Sequence, residues 1–547
     1  MKEELKQPNF SPLALDILRD RYLWRDANGN VTETPQEMLY RVAKHVSSAE
    51  KPEERDYWTN LFYNLMADLD FLPNSPTLMN AGRPYPHGQL AACFVVGIED
   101  SMESICGALR KQMLIHKTGG GTGFNFSKLR PKNSTVNSTN GRASGPVSFM
   151  RLFDLSTEVI QQGGMRRGAN MAILNGDHPD IEEFISCKDE EGKITNFNLS
   201  VGLTDEFMRR AVLDPASSAA ALLRKIAEHA WRSGDPGVVF LDAINRDNPC
   251  PELGKIEATT PCGESPLLPD EACNLGSINL AHMVKNGKVN WDKLANTISI
   301  AVRFLDDVID VNQYPLPEIE AAVKKTRKIG LGVMGWADML YQLRIPYDSD
   351  EAVELARDIM LFISETAWCE TTNLAKKKGP SPCPHWACGD TYHLVRNATV
   401  TCIAPTGTLS LLAGCSSGIE PVFANYHIRK VTLGDGTIVE KEIFNPYYEA
   451  LVADKSLTDE QLETITKTAY QIPWVWHIRH QVAFQQYTDL AVSKTINTPH
   501  DATVDDVVAA YIMAWTNGCK GTTVYRDGSR SSQVLTEAPV RCKECEM

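Results

Sequence analysis

The residue types best suited to chemistry are crowded into one stretch, Thr260-Pro-Cys-Gly-Glu-Ser-Pro-Leu-Leu-Pro-Asp-Glu-Ala-Cys-Asn-Leu-Gly-Ser-Ile-Asn279. It holds a thiol at Cys262, a carboxylate two residues on at Glu264 and a second thiol eleven residues on at Cys273. A thiol beside a carboxylate suits hydrogen transfer coupled to proton transfer, because the carboxylate can accept the proton. Taken alone, the same residues also describe a tight Pro-Gly turn with an incidental cysteine. A second thiol pair, Cys542 and Cys545, has C-x-x-C spacing. On a mobile tail such a pair exchanges disulfides. It is also half of a zinc site, but no second pair lies nearby in the sequence.

Three other groups invite a chemical reading and take a plainer one. Asn248-Pro-Cys-Pro-Glu252 repeats the Asn-x-Cys-x-Glu pattern upstream, and Cys250 is read as structural. Cys383-Pro-His-Trp-Ala-Cys388 offers three possible metal ligands, but in a Pro-rich run that reads as a surface loop. His477 and His480 stand i, i+3 on a predicted helix and are expected to pack or to face solvent. No metal site is therefore expected.

Around these residues the hydrophobic pattern changes along the chain. Residues 1–70 read as a helical region, with Leu13, Leu15, Ile17 and Leu18, then Met38, Leu39, Val42 and Val46, then Leu61, Phe62, Leu65 and Leu69 at helical spacing. From residue 71 to 530 short apolar runs alternate with amphipathic helices. Cys93-Phe-Val-Val-Gly, Met171-Ala-Ile-Leu and Thr399-Val-Thr-Cys-Ile-Ala read as buried strands. Gly119–Gly123 and Gly330–Gly335 read as Gly-rich turns, and Val147–Ile160 as a helix. This is an α/β pattern. Residues 531–547 show neither period and read as a flexible tail bearing Cys542 and Cys545.

Composition narrows the function classes. A net charge of −14 argues against a nucleic-acid polymer as partner, since a phosphate backbone needs a basic surface. It leaves room for a single nucleotide, which a helix N-terminus or a backbone loop can hold. No apolar run is long enough for a membrane span, and the charged Met1-Lys-Glu-Glu-Leu-Lys start is unlike a secretory signal. The 14 cysteines are spread over the length, which fits free thiols in a reducing cytoplasm better than a disulfide-stapled secreted domain. A cytoplasmic location is expected.

The Thr260–Asn279 stretch resembles the active-site finger loop of ribonucleotide reductase large subunits, whose pattern is Asn-Pro-Cys-Gly-Glu. The resemblance extends over residues 9–535. It includes Asn74-Ser-Pro-Thr-Leu-Met-Asn-Ala-Gly82, Thr118-Gly-Gly-Gly-Thr-Gly-Phe124, Gly163-Gly-Met-Arg-Arg-Gly-Ala-Asn-Met171, Arg327-Lys-Ile-Gly-Leu-Gly-Val-Met-Gly335 and Ala404-Pro-Thr-Gly-Thr408, in the family's order. It implies a ten-stranded α/β barrel with the finger loop inside it.

The resemblance also implies roles. Cys262 matches the thiyl radical that takes the ribose 3′-hydrogen, and Glu264 the base for the 3′-hydroxyl proton. Cys93 and Cys273 match the pair that supplies two electrons, and the tail pair Cys542 and Cys545 fits the shuttle that re-reduces them with a thioredoxin- or glutaredoxin-like partner. Thr77, Ala92, Cys93, Gly121 and the finger residues Thr260, Pro261, Cys262, Gly263 and Glu264 match substrate contacts. Pro405, Thr406, Gly407, Thr408 and Leu409 match the segment that binds substrate phosphates. Arg166, Arg167, Gly168, Ala169 and Asn170 match the specificity loop between a dNTP or ATP effector and the substrate base. Asp154 lies on the helix matched to the effector site, a helix that in many members also forms a homodimer.

One position departs from the pattern. Thr260 stands where the family has an Asn whose amide bonds the ribose hydroxyls, and a Thr brings one hydroxyl on a shorter stem. A nucleotide-binding paralogue without turnover is therefore one alternative, and the same barrel with another radical source is a second. For the radical source, Thr522-Thr-Val-Tyr-Arg-Asp-Gly-Ser529 has a single tyrosine where members fed by an iron subunit have two, and the tail lacks the glycyl-radical loop. The resemblance is thus to the adenosylcobalamin-dependent (class II) type, acting on ribonucleoside diphosphates. The N-terminal region looks too short for an ATP-cone activity domain.

Overall fold

The computed structural model describes residues 5–83, 88–136, 140–160, 168–190, 192–383, 386–388, 391–432 and 438–529. Three helices open the chain at Pro12–Arg21, Pro35–Val46 and Arg55–Ala67. The Ser11 hydroxyl accepts the Ala14 N–H at the first, and Thr34 with Glu37 closes a capping box on the second. Both have proline in the first turn, where no N–H is needed. Leu18, Met38, Leu39, Val42, Val46 and Phe62 are fully buried, so the helical stripes face inward. A buried ion pair ties this layer to the rest: Arg303, on the helix Trp291–Val311, donates to both oxygens of Glu50 at 2.6 and 2.8 Å.

The remaining chain builds a ten-stranded sheet. In chain order its strands are β1 (Phe71–Pro73), β2 (Cys93–Val95), β3 (Gly121–Asn125), β4 (Asn170–Asn175), β5 (Phe197–Leu203), β6 (Gly237–Phe240), β7 (Ala272–Asn279), β8 (Ile329–Met334), β9 (Thr495–Thr498) and β10 (Gly521–Arg526). Strands β2, β3, β4, β5 and β6 run parallel to one another. Strands β7 and β8 are parallel, as are β9 and β10. The two sets join antiparallel at both ends, through β7 on β2 and β10 on β6. The parallel bridges Leu331–Thr401 and Ile403–Val492 carry the ladder from β8 toward β9. These bridges extend the ten-stranded sheet toward its other edge, in keeping with the α/β barrel expected from the sequence.

Several local expectations need correction. Gly119–Gly123 and Gly330–Gly335 are largely strand, not turn. Their glycines allow backbones to touch. A Cβ on Gly332 would lie 2.2 Å from the Cys402 carbonyl oxygen, and one on Gly123 1.9 Å from the Thr259 carbonyl oxygen. Conversely, within Thr399–Ala404, read as a strand, the ladder contacts are the isolated bridges at Thr401 and Ile403. His477 and His480 lie in the helix Trp474–Gln485 and both are buried, so packing is the right reading and solvent exposure is not. Cys383 is also buried, not on a surface loop. The helix read at Val147–Ile160 spans Pro146–Val159. Among the described residues, no helix is long and apolar enough to cross a membrane.

Candidate functional site

Ala258–Thr259 and Pro266–Leu267 pair antiparallel, so residues 260–265 form the tip of a hairpin. Pro261 takes the second position of a turn in which the Gly263 N–H donates to the Thr260 carbonyl at 2.9 Å. Gly263 follows with φ +79°, a conformation that suits glycine. Cys262 therefore sits at the corner of the turn, and it is exposed.

The hairpin hangs between the two halves of the barrel. Thr259 rides over Gly123 of β3, and a Cβ on Gly121 would lie 3.0 Å from Pro261 Cγ. Asn125 Nδ2 donates to the Glu257 carbonyl at 2.8 Å, and Asn198 Nδ2 to the Pro261 carbonyl at 2.7 Å. From the other half, the Ala491 N–H and the Cys402 thiol both donate to the Glu264 carbonyl, at 2.9 and 3.2 Å. Gly123→Ala tests this suspension. The methyl group meets backbone, which cannot rotate away, so the hairpin must shift. We expect about 1–3 kcal/mol of destabilisation in urea melts. Turnover should fall on the order of 10²-fold, because reacting groups displaced by an ångström lose alignment.

Beneath the tip, Glu264 is 4% exposed and accepts from two donors. The Cys93 thiol donates to Oε1 at 3.2 Å and the Thr260 hydroxyl to Oε2 at 2.9 Å. Thr260 Oγ1 in turn accepts the Ser265 N–H at 3.2 Å. The Thr260 side chain is thus turned inward, onto the carboxylate.

Cys93 and Cys273 are directly opposed on the antiparallel strands β2 and β7. Residues so placed have Cα atoms roughly 4.5–5.5 Å apart, within the span a disulfide bridges. Both are fully buried thiols. Burial, then the negative charge and hydrogen bond of Glu264, pushes the Cys93 thiol well above the usual thiol range. Burial likewise pushes Cys273 up, against the pull of Lys328. Both are therefore neutral S–H groups near neutral pH, able to give hydrogen and electrons together. An exposed thiol, a doubly bonded carboxylate and an opposed dithiol are thus assembled from three stretches of chain.

The other expected residues fall nearby or elsewhere. Thr77 is buried, with its hydroxyl 3.0 Å from both Asn74 Oδ1 and the Leu90 carbonyl. The Ala92 carbonyl accepts the Gly121 N–H at 2.8 Å. Thr406 adopts a left-handed conformation ahead of the helix Gly407–Ala413, which contains Thr408 and Leu409, and its hydroxyl accepts the Gly418 N–H at 2.8 Å. Pro405 precedes it, half-buried. Asp154 holds the Asn196 backbone and amide at 2.9 and 3.1 Å. Gly168 lies against the His116 ring, where a Cβ would come within 2.8 Å. The Ala169 carbonyl accepts the Thr122 N–H at 3.1 Å. Asn170 is fully buried and joins Gln112, Thr122, Thr157 and Asn196 in one network. Arg166, Arg167, Cys542 and Cys545 lie outside the described residues.

Sequence reasoning missed Cys402, Asn125 and Asn198, which hold the hairpin. Asn198 did carry a signal: asparagine is poorly suited to strands, and it is the exposed residue of β5. Cys402 carried none, because a cysteine in an apolar run reads as core. Asn248-Pro-Cys-Pro-Glu252 stands apart from this assembly. Cys250 is buried beside Cys383, Ala398 and Leu253.

Comparison with known proteins agrees with this arrangement. The model of the ribonucleotide reductase barrel domain matches residues 91–217, 214–394 and 391–525, and that of the ribonucleotide reductase all-alpha domain matches residues 8–86. A vitamin B12-dependent ribonucleoside-diphosphate reductase of Thermoplasma acidophilum is 42% identical, covering 100% of this chain and 82% of the relative. One of Mycobacterium tuberculosis is 46% identical over 98% of this chain and 82% of its own length. The solved alpha subunit of a class Id ribonucleotide reductase from Actinobacillus ureae shares the fold, with a TM-score of 0.78, 23% identity and coverage of 95% of this chain and 97% of that one. A ten-stranded α/β sheet carrying a thiol-tipped hairpin, matched by both family models over nearly the whole length, means that this chain belongs to the ribonucleotide reductase large-subunit family.

Proposed function

We propose that the chain reduces ribonucleoside diphosphates to 2′-deoxyribonucleotides by a thiyl-radical mechanism dependent on adenosylcobalamin. The observation that carries this reading is exposed Cys262 on the same hairpin tip as Glu264, which accepts from the thiol of Cys93 opposite Cys273. The B12 dependence rests on the printed names of the relatives. The fit to the cofactor rests on the exposure of Cys262 at a turn corner, where a bulky group can reach it. When bound, adenosylcobalamin would supply radical chemistry, and Cys262 is the residue that would receive it.

The chain's own residues then divide the work. Cys262 takes the 3′-hydrogen of the ribose and returns it at the end. Glu264 takes the 3′-hydroxyl proton, one of its two present donors giving way to the substrate. The 2′-hydroxyl leaves as water, and Cys93 and Cys273 pass from two thiols to one disulfide. The balance is one ribonucleotide plus two S–H groups to one deoxyribonucleotide, one S–S bond and one water. Burial of the carboxylate and of the Cys93 and Cys273 thiols keeps bulk water from the groups that handle the proton and the two electrons. Thr260 orients the Glu264 carboxylate through its hydroxyl.

The finer assignments are part of the same proposal. Residues Pro405–Leu409 bind substrate phosphate, with Thr77, Ala92 and Gly121 lining the substrate site. The loop Arg166–Asn170, with Asp154 on the preceding helix, reads a dNTP or ATP effector. Cys542 and Cys545 carry electrons from a thioredoxin- or glutaredoxin-like protein. A cytoplasmic setting suits thiols that must be reduced after each turnover. The helix Pro146–Val159 exposes Leu152, Leu155 and Val159 on one stripe, at 48%, 56% and 71%, which supports a homodimer built on that helix. Leu155→Glu should convert the dimer to monomer in light-scattering chromatography and blunt the effector response.

The deciding experiment combines the protein with adenosylcobalamin, a dithiol reductant, an effector and each ribonucleoside diphosphate. Deoxynucleotide together with a cob(II)alamin signal is expected. Tight effector binding without product would instead indicate a binding paralogue. Turnover only with an added iron protein would indicate another radical source.

A further inference from the structure

Two stretches without a role in the proposed reaction meet in space. Asn248-Pro-Cys-Pro-Glu252 lies just ahead of the catalytic hairpin, and Cys383 lies 131 residues beyond Glu252. The ligand atoms of Cys250, Glu252 and Cys383 all lie within 4.8 Å of one another. The Cys383 thiol donates to Glu252 Oε1 at 3.2 Å. Both cysteines are held through their own backbone N–H groups. Asn248 Oδ1 accepts the Cys250 N–H at 3.1 Å while its Nδ2 donates to the Gly254 carbonyl at 2.9 Å, which closes the turn. The Cys383 N–H donates to the Lys325 carbonyl at 3.0 Å. Both thiols are buried, at 1% and 7%, against Leu253 and Ala398, while Glu252 is exposed.

We propose that Cys250, Cys383 and Glu252 form a structural zinc site that staples the base of the catalytic hairpin to the segment around residue 383. Two sulfurs and a carboxylate oxygen are a zinc-type donor set, since hard cations take oxygen ligands and thiolates favour zinc. In a tetrahedral site with Zn–S bonds of about 2.3 Å, neighbouring ligand atoms stand roughly 3.5–3.8 Å apart, so the cluster needs little movement to close on the ion. Binding forms two Zn–S bonds and one Zn–O bond and releases the two thiol protons. The exposed side of Glu252 leaves the fourth position to water. No electron is transferred, and the site is separate from Cys262. The clamp shortens the free chain ahead of Ala258, where the hairpin begins.

The test uses the full chain. To remove the other thiol pair from consideration, all measurements are repeated in a Cys542→Ser/Cys545→Ser background. Zinc-replete protein should hold about one zinc per chain by plasma mass spectrometry. The metal-stripped protein given cobalt(II) should show thiolate-to-cobalt charge-transfer absorption. Cys250→Ser and Cys383→Ser should each abolish both signals, and zinc should raise Tm in the parent but not in these variants. Should either serine variant fold poorly, Glu252→Gln keeps both thiols and should weaken zinc affinity at least tenfold. The proposal fails if the parent holds no stoichiometric zinc. It fails equally if zinc content is unchanged by the serine variants, or if peptide mapping finds Cys250 and Cys383 joined as a disulfide in zinc-replete protein.

Discussion

Cys262→Ala is expected to abolish deoxynucleotide formation while leaving the folded protein unchanged. The thiol stands at an exposed turn corner. Stability should stay within about 0.5 kcal/mol of the parent in urea melts, as for other exposed substitutions. Activity should fall on the order of 10⁴-fold or more, since no other group can take over a step in which that atom reacts. Ribonucleotide binding, read by equilibrium dialysis, should persist. Cys250→Ala is the control. Cys250 lies buried in a separate cluster beside Cys383, so its loss removes no group from the proposed reaction. It should cost stability and leave most of the specific activity of the folded fraction. Activity retained in Cys262→Ala and lost in Cys250→Ala would exchange the two assignments.

Glu264→Gln should produce the second large effect, and a different one. The carboxylate accepts from Cys93 on one oxygen and from Thr260 on the other. A glutamine offers one acceptor oxygen, so its NH₂ must face a group that now donates. The mismatch is buried, and should cost about 1–3 kcal/mol of stability. Loss of the base should lower kcat by roughly 10²–10⁴-fold. A merely structural role predicts the first loss without the second. Rate and melt are therefore measured on the same preparation, and a variant that is destabilised yet turns over normally when folded would remove Glu264 from the chemistry. Thr260→Val refines the result. It deletes the hydroxyl that bonds Oε2, so kcat should fall while substrate binding changes little; Thr260→Ser should restore most of the rate.

The Thr260 hydroxyl, at the position that departs from the family pattern, donates to the neighbouring Glu264 carboxylate. Nothing in the local sequence indicates this, because the direction of a hydroxyl depends on which groups the turn folds beneath it. The turn itself was legible: Pro261 and Gly263 mark it, and Cys262 must then lie at its corner.

The sequence by itself determined the elements with strong local signals. The three N-terminal helices follow from caps at Ser11 and Thr34 and from apolar stripes at helical spacing. The α/β class follows from buried apolar runs between amphipathic helices. The order of motifs then pointed to one family, and so to a barrel. Tertiary structure alone decided the rest, because the decisive contacts join residues far apart in the chain. Cys93 faces Cys273 only through the register of β2 on β7. Gly123 and Gly332, read from sequence as parts of turns, are strand glycines because another backbone passes where a Cβ would stand. Cys250 and Cys383 each look incidental, and only the folded chain brings them to one place. Local propensity sets which elements form, whereas register, close approach and the meeting of distant side chains are properties of the packed whole.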